Sequence, residues 1–367
     1  MRKQQMIWTA AVVAFLVLAG GGVAYALHTR TAGTSAAAAT PSAAPSAPVS
    51  PAPADPLLPD TGPKVTGPLD LLLLGVDTRV SIPDWQPHSD AIMLLHLERG
   101  LDRGYLYSLP RDLRVDIPAF PKSGFKGGRY KITEAMSRGA KVPGSNRADV
   151  RQGYELLTKT ISAYTGVKTF QAGAILTFGG LEKLTDALGG VTITVDEKVT
   201  SIHRRPDGSP RTLQRGGGGY VGPQAVYKPG TQNLVGWQAI DFARQRYGVQ
   251  GGDYGRGRHQ RQLVRALLTK ALSTGVTTNP AKLSSVLTAL GDSLVYVGGK
   301  TPLEYASALS NLKPEQLTLV GLPGDSVGSG GHYLGEQLLP EGKGFLKAIA
   351  ADQAGPYLAK HPKLVNP

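Results

Sequence analysis

Met6 to Leu27 is a run of 22 residues with no charged side chain, preceded by Arg2 and Lys3. At about 1.5 Å of rise per residue, a helix of that length covers roughly 33 Å, enough to cross the hydrocarbon of a bilayer. Signal-peptide cores usually extend over only about 7 to 15 residues. An uncleaved transmembrane helix at 6–27 is therefore expected, with residues 1–5 as a cytoplasmic tail. Ala24-Tyr25-Ala26 also fits a small-x-small cleavage site, so processing of the segment stays open. Basic residues on the short N-terminal side place that side in the cytoplasm and everything after Leu27 outside.

Residues 28–65 read as an extracytoplasmic linker. From Thr31 to Pro63 the chain is almost entirely Ala, Pro, Ser and Thr, with Asp55 and Asp60 as its only charges and no aromatic residue. Such a stretch cannot bury a core and should be an extended tether. The body from Lys64 to Pro367 keeps 37 basic against 25 acidic residues, a surplus of +12. On an exported body this surplus points to an anionic partner, phosphates on lipid headgroups or wall polymers, and argues against nucleic acid. The chain has no cysteine, which excludes a disulfide framework, a thiolate zinc site and a cysteine nucleophile, and makes a hard cation the default metal.

The body alternates strand and helix. Pro68 to Arg79 contains a continuous apolar run bounded by turn residues, the pattern of a strand buried on both faces. Its end carries Asp77 and Arg79, at the strand edge where open α/β sheets place ligands. Further strands are expected at Ala91 to Leu97, directly after Asp90, at Gly104 to Leu109, leading into Pro110-Arg111-Asp112, and at Val191 to Val195. Helices are expected at Asn146 to Tyr164, from Phe178 to a glycine stop at Gly189-Gly190, at Leu234 to Gly248, and from about Gly257 to Leu272. Ser201 to Pro229, rich in Gly and Arg and without periodicity, reads as a long excursion. The expected fold class is α/β, a mixed central sheet with helices on both faces.

The densest cluster of charge is Ala243-Arg244-Gln245-Arg246 followed by Gly251 to Gln262. Four glycines between two arginine-bearing helices would let backbone N–H groups and guanidinium forks converge on a small anion. A solvated basic helix face is the plain alternative. Asp77 and Asp90 are the candidate metal ligands, because two carboxylates plus substrate phosphate oxygens suit Mg²⁺; turn capping by Asp is the alternative. Gly324-Asp325-Ser326-Val327-Gly328, with Asp352 and His361 behind it, matches a hydrolase elbow formally, but Gly328 to Gly331 blocks the helix that an elbow needs. Gly291-Asp292-Ser293-Leu294 follows a helical segment where a lipase-type block needs a strand.

Taken together, Leu72 to Arg79, Ser89-Asp90-Ala91-Ile92, Ser108 to Asp112, Lys131-Ile132, Leu188 to Val191, Phe242 to Arg246 and Asp253 to Gln262 resemble the LytR-CpsA-Psr family of cell-wall glycopolymer ligases. The resemblance covers about Thr66 to Ala350, with 66–350 as the catalytic domain and 351–367 as a C-terminal tail, in an actinobacterial style of sequence. It implies a membrane-anchored phosphotransferase that moves a glycopolymer from undecaprenyl diphosphate onto a peptidoglycan acceptor through a phosphodiester, with Mg²⁺ (or Mn²⁺) as cofactor. It matches Asp77 and Asp90 to the metal positions. Arg79, Arg111, Lys131, Arg244, Arg246, Arg256 and Gln260 match diphosphate-binding positions, and catalysis would rest on Asp77, Arg111 and Arg256, with Asp77 as one candidate base. The prenyl tail would lie in an apolar tunnel that Leu71 to Leu74 help line. Thr133 stands where the family usually has Asn. The arginine motif fits in two registers, Arg256 with Gln260 or Arg258 with Gln262; the first keeps Asp253 three residues ahead of the arginine. A non-catalytic envelope receptor for such lipid-linked polymers is the alternative function.

Overall fold

The computed structural model describes residues 64–77, 86–214, 219–276, 279–309, 312–329 and 332–366. The expected transmembrane helix at 6–27, the linker up to residue 63 and Arg79 lie outside the described residues. None of the described helices is long and apolar enough to cross a membrane.

The chain runs through β1 (Leu69–Asp77), β2 (His88–Leu97), β3 (Gly104–Leu109), β4 (Arg114–Ile117), β5 (Gly128–Lys131), α1 (Thr133–Ala140), α2 (Val150–Thr165), β6 (Ala172–Thr177) and α3 (Phe178–Ala187). Next come β7 (Val191–Val195), the two-residue strands β8 (Val199–Thr200), β9 (Thr212–Leu213), β10 (Tyr220–Val221) and β11 (Val226–Tyr227), then β12 (Gly230–Leu234), α4 (Gly236–Arg244), α5 (Asp253–Ser273) and α6 (Pro280–Leu290). The last part holds β13 (Leu294–Gly298), α7 (Pro302–Ala308), β14 (Leu317–Val320), β15 (Gly324–Ser329), β16 (His332–Leu338), α8 (Pro340–Ala350) and α9 (Ala354–Lys360).

Six strands form the central sheet in the order β13-β6-β1-β2-β3-β14. β1 pairs parallel with β6 and β3 parallel with β14, and the other pairs are antiparallel. The apolar run of β1 is continuous because the sheet is covered on both sides. Leu69, Leu71 and Leu73 enter one core with Leu184, Ile240, Leu263 and Leu287, whereas Leu72, Leu74 and Val76 enter the other with Met136, Leu157, Phe345 and Leu358. Each such leucine contributes about 1.5–3 kcal/mol through burial. The mixed sheet with helices on both faces is thus as the sequence predicts.

Several boundaries differ from expectation, each for a local reason. α2 starts at Val150, not Asn146, because the Asp149 side chain accepts the Gln152 N–H as an N-cap. The helix expected at Leu234 to Gly248 is shorter: Leu234 completes β12 opposite Val191, and Gln245, with φ −68° and ψ 133°, ends α4. Arg246 therefore lies beyond the helix. α5 begins at Asp253, so Gly255 and Gly257 are helical, and the loop ahead turns on Gly251 and Gly252, both at positive φ. Asp90 is the third residue of β2 and does not precede it. The stretch after residue 350 is no tail: Leu358 and Leu364 are buried in the second core and Val365 forms a bridge to Val320.

Candidate functional site

β1 and β2 run in register from Leu69↔Leu97 to Gly75↔Ala91, after which Val76 faces Ser89 and Asp77 faces His88. Asp90 is thus the extra residue of a β-bulge. A bulge bends its strand and re-aims a side chain, and here the Asp90 carboxylate meets the loop after β3, where Arg111 Nη1 donates to Asp90 Oδ1 at 2.8 Å. Asp112 lies 3.8 Å from Arg111 Nε and 3.2 Å from Lys131 Nζ, tying the β5 lysine to the same loop. Burial opposes the charge on Arg111, but Asp90, Asp112 and Asp253 outweigh it and hold its pKa above the ordinary value.

Arg256 enters from the first turn of α5. It is buried, contacts Asp253 Oδ1 at 2.9 Å, and reaches the Asp90 carbonyl at 3.4 Å. Its Nε is buried without a hydrogen-bond partner, as is the Nε of Arg111. Burial pulls the Arg256 pKa down, and the neighbouring Arg111 and Arg246 pull it further, against Asp253 and Asp90. Two crowded guanidinium groups with unused donors form a setting that an incoming oxyanion relieves.

Asp90, Arg111, Arg256 and Gln260 line one cavity of about 570 Å³ between the bulge, the β3 end and the α5 start. Gln260 and Ala91 also line a narrow apolar seam of about 40 Å³, with Leu73, Phe178, Leu181, Ala243 and Leu263. The expected tunnel is therefore a seam; Leu73 and Leu74 reach it, while Leu71 and Leu72 are spent in the two cores. Arg244 borders the seam with its guanidinium 4.3 Å from the Phe178 ring centre. Arg246 donates to the Tyr247 hydroxyl. Asp77 ends β1 two residues from Asp90 across the ladder, so both residues stand at one end of the strand pair, while Asp90 Oδ1 is taken by Arg111; two carboxylates with waters and phosphate oxygens are the donor types that suit a hard cation.

Arg258 is turned to other work. Its Nε lies 2.6 Å from Asp196 and its Nη2 donates to Glu197 at 2.5 Å. Asp196, Glu197 and His259 bring three ligand atoms within 4.8 Å of one another, but Arg258 already pairs with both carboxylates. Arg256, held by Asp253, and Gln260 both line the cavity, whereas Gln262 lines a different one.

Sequence reasoning missed a second ring of residues. Glu336, nearly buried on β16, accepts from Tyr254 at 3.2 Å and Tyr333 at 2.8 Å, and its N–H donates to the Asp112 carbonyl at 2.8 Å. Nothing in the chain marks it, since the partners that tie it to the site, Tyr254 and Asp112, are far away in sequence. Asp112 and Asp253 were legible as members of charged blocks. Ser326 sits on β15 bonded to Glu336 at 3.4 Å, Asp352 faces His96, and His361 Nδ1 bonds the Tyr357 carbonyl, so no hydrolase triad forms.

Residues 24–338 match the LytR_cpsA_psr family. Biofilm regulatory protein A of Streptococcus mutans is 26% identical over 257 residues, 68% of this chain and 56% of its own length. Cell wall biosynthesis protein LcpA of Corynebacterium glutamicum is 26% identical over 293 residues, 73% of this chain and 52% of its own. The chain thus spans about half the length of these relatives. The polyisoprenyl-teichoic acid–peptidoglycan teichoic acid transferase TagU of Enterococcus faecalis is 27% identical over 265 residues, 71% of this chain and 73% of its own. The crystal structure of B. subtilis TagV superposes with a TM-score of 0.56 at 17% identity, covering 79% of this chain and 98% of TagV. That likeness concerns the fold. The match over residues 24–338, on the fold and blocks described above, makes this chain a member of the LytR-CpsA-Psr family.

Proposed function

We propose that the protein is a membrane-anchored, extracytoplasmic phosphotransferase that moves a glycopolymer from undecaprenyl diphosphate onto a peptidoglycan hydroxyl. The observation that carries this reading is the cavity in which Arg256 and Arg111 sit partly or wholly buried with unused Nε donors, beside an apolar seam that shares Gln260 and Ala91 with it. An arginine-lined pocket that favours an oxyanion, joined to an apolar groove, matches a lipid diphosphate in chemistry. The relatives named as teichoic acid transferases and the 22-residue apolar run ahead of a basic body support it further.

In this reading Arg111 and Arg256 grip the diphosphate, with Arg246, Lys131 and Gln260 around it, and Asp90 fixes the Arg111 fork. Arg244 takes an outer contact. An acceptor hydroxyl attacks the phosphorus bearing the glycopolymer, its proton passes to Asp77, the P–O bond to the distal phosphate breaks, and undecaprenyl phosphate leaves. Charge on the transferring phosphoryl group spreads over oxygens that the two guanidiniums already face, so catalysis is mainly positioning and electrostatic stabilisation. Asp77 and Asp90 would hold Mg²⁺ or Mn²⁺, which supplies neutralisation of diphosphate charge.

The test is a transfer assay with the full chain in detergent, a polyprenyl-diphosphate-linked glycopolymer and peptidoglycan. Polymer should become linked to peptidoglycan with matching release of polyprenyl phosphate. Arg111→Lys and Arg256→Lys, which keep charge but lose the planar fork, should each lose more than about tenfold in rate, roughly 1.4 kcal/mol of transition-state stabilisation. No transfer by the wild type, or full activity in both variants, overturns the reading.

A further inference from the structure

Arg261 is the most buried cation of the cavity wall, at 4% exposure, and it meets only neutral acceptors. Nη1 donates to Ser108 Oγ at 3.2 Å and Nη2 to Asn366 Oδ1 at 2.7 Å, while its Nε is buried without a partner. Every other arginine of the cavity wall has a carboxylate: Arg111 has Asp90, Arg256 has Asp253, and Arg258 has Asp196 and Glu197. Among the described residues none pairs with Arg261. A buried charge without a counter-charge is costly; burial and the nearby Arg258 push the Arg261 pKa down to about 10.

The surroundings leave room for the missing anion. Ser108, Gly257, Arg261 and Asn366 all line the cavity of about 570 Å³. Asn366 is held in place from three sides: its N–H donates to the Leu319 carbonyl at 3.0 Å, Val365 bridges Val320, and Gly321 has no side chain where the Asn366 amide packs. The same segment adds Lys363 to the cavity wall. Residues 362–366 lie beyond the stretch matched by the family, 24–338.

We propose that Arg261, framed by Ser108 and Asn366, is a second oxyanion subsite in this cavity, apart from the Arg111–Arg256 cluster, and that it takes a phosphate or carboxylate group of the substrates. This rests on the reading of the cavity as an anionic-substrate site. The chemistry is the same whether the group comes from the donor's polymer or from the peptidoglycan acceptor.

The first test needs no transfer activity. Inorganic phosphate is titrated into the full chain in detergent and the melting temperature followed. In an Arg111→Gln/Arg256→Gln background the phosphate-dependent rise should persist, and adding Arg261→Gln should abolish it. Should the triple variant fail to fold, calorimetry on Asn366→Leu serves instead, and its apparent phosphate affinity should fall by about tenfold. A response unchanged by Arg261→Gln, or by Asn366→Leu, overturns the subsite even if the wild type transfers polymer. Loss of the response on adding Arg261→Gln, together with a wild type that does not transfer polymer, would instead keep the subsite and refute the ligase reading. In the transfer assay Arg261→Lys should raise the KM of one substrate by about tenfold with kcat within about threefold. A rise in the donor KM assigns the group to donor phosphate, and a rise in the acceptor KM to acceptor carboxylate. Unchanged KM values with a lowered melting temperature would make Arg261 a strut for Asn366.

Discussion

His96 sits inside β2 at 2% exposure, with Nδ1 2.9 Å from Asp70 and Nε2 3.4 Å from Asp352. Burial alone would lower its pKa, but the two carboxylates outweigh burial and raise it above the ordinary histidine value. The sign of the linkage follows. A raised folded pKa gives stability that is fully present below the unfolded pKa of about 6.5 and is lost as pH rises through the folded value. Asp352→Asn should therefore lower the melting temperature more at pH near 5.5 than at pH near 8.5. The backbone tolerates the change, since Asp352 has φ 55°, a region that Asn shares with Asp. An equal loss at both pH values would mean that His96 is neutral throughout. None of this was legible in the sequence, where His96 is one residue of an apolar strand and its partners stand 26 and 256 residues away. Arg111 and Arg256 were legible because charged residues clustered beside turn residues, whereas Arg261, the next-to-last residue of the Gly251 to Gln262 block, carries nothing in sequence that sets it apart from a solvated arginine.

At the scale of elements, the start of α5 is set by how closely it packs on the loop before it. A Cβ on Gly255 would fall 2.3 Å from the Gln250 carbonyl oxygen and 2.6 Å from Val249 Cγ1, so the loop or the helix must move. Gly257 has no neighbour nearer than 3.5 Å, an ordinary contact. Gly255→Ala should destabilise the protein by about 1–3 kcal/mol through overpacking, whereas Gly257→Ala should gain about 0.5–1 kcal/mol from a helix-interior alanine. Urea unfolding of the two variants checks this, and a Gly255→Ala protein as stable as wild type would contradict the packing of residues 249–252 on α5. The same glycines explain why the helix start was misread: three glycines in Gly252 to Gly257 read as loop, and tertiary packing overrides that propensity. Strands were easier to read. β7 runs from Val191 to Val195 as its alternating pattern indicates, with Val191, Ile193 and Val195 buried and Thr192 and Thr194 exposed. The bulge at Asp90 was out of reach, because register exists only between two strands and no single strand carries it.

For the molecule as a whole, the surplus of basic residues points to an anionic partner, but composition does not say where two kinds of cavity join. That junction lies at Gln260 and Ala91, where the polar cavity meets the apolar seam between β1, α3, α4 and α5. The seam of about 40 Å³ is lined on one side by Phe178 and Leu181, which are only partly buried, and it is too small to hold a prenyl chain unless its walls move. Ala243 lies on the opposite wall at 4% exposure. Ala243→Leu adds bulk there without changing the charge of the site, at a stability cost of about 1–3 kcal/mol. Two ligands then separate the two cavities: inorganic pyrophosphate, which needs the arginine cluster alone, and a long-chain polyprenyl diphosphate, which needs the seam as well. Calorimetric titration of Ala243→Leu should leave pyrophosphate affinity within about twofold of wild type and weaken the long-chain ligand by about tenfold or more, the worth of roughly two buried methylene groups at about 0.8 kcal/mol each. If both affinities fell together, the substitution would have collapsed the polar cavity; if neither changed, the prenyl chain would run elsewhere on the surface and the seam would be a packing defect between the sheet and its helices.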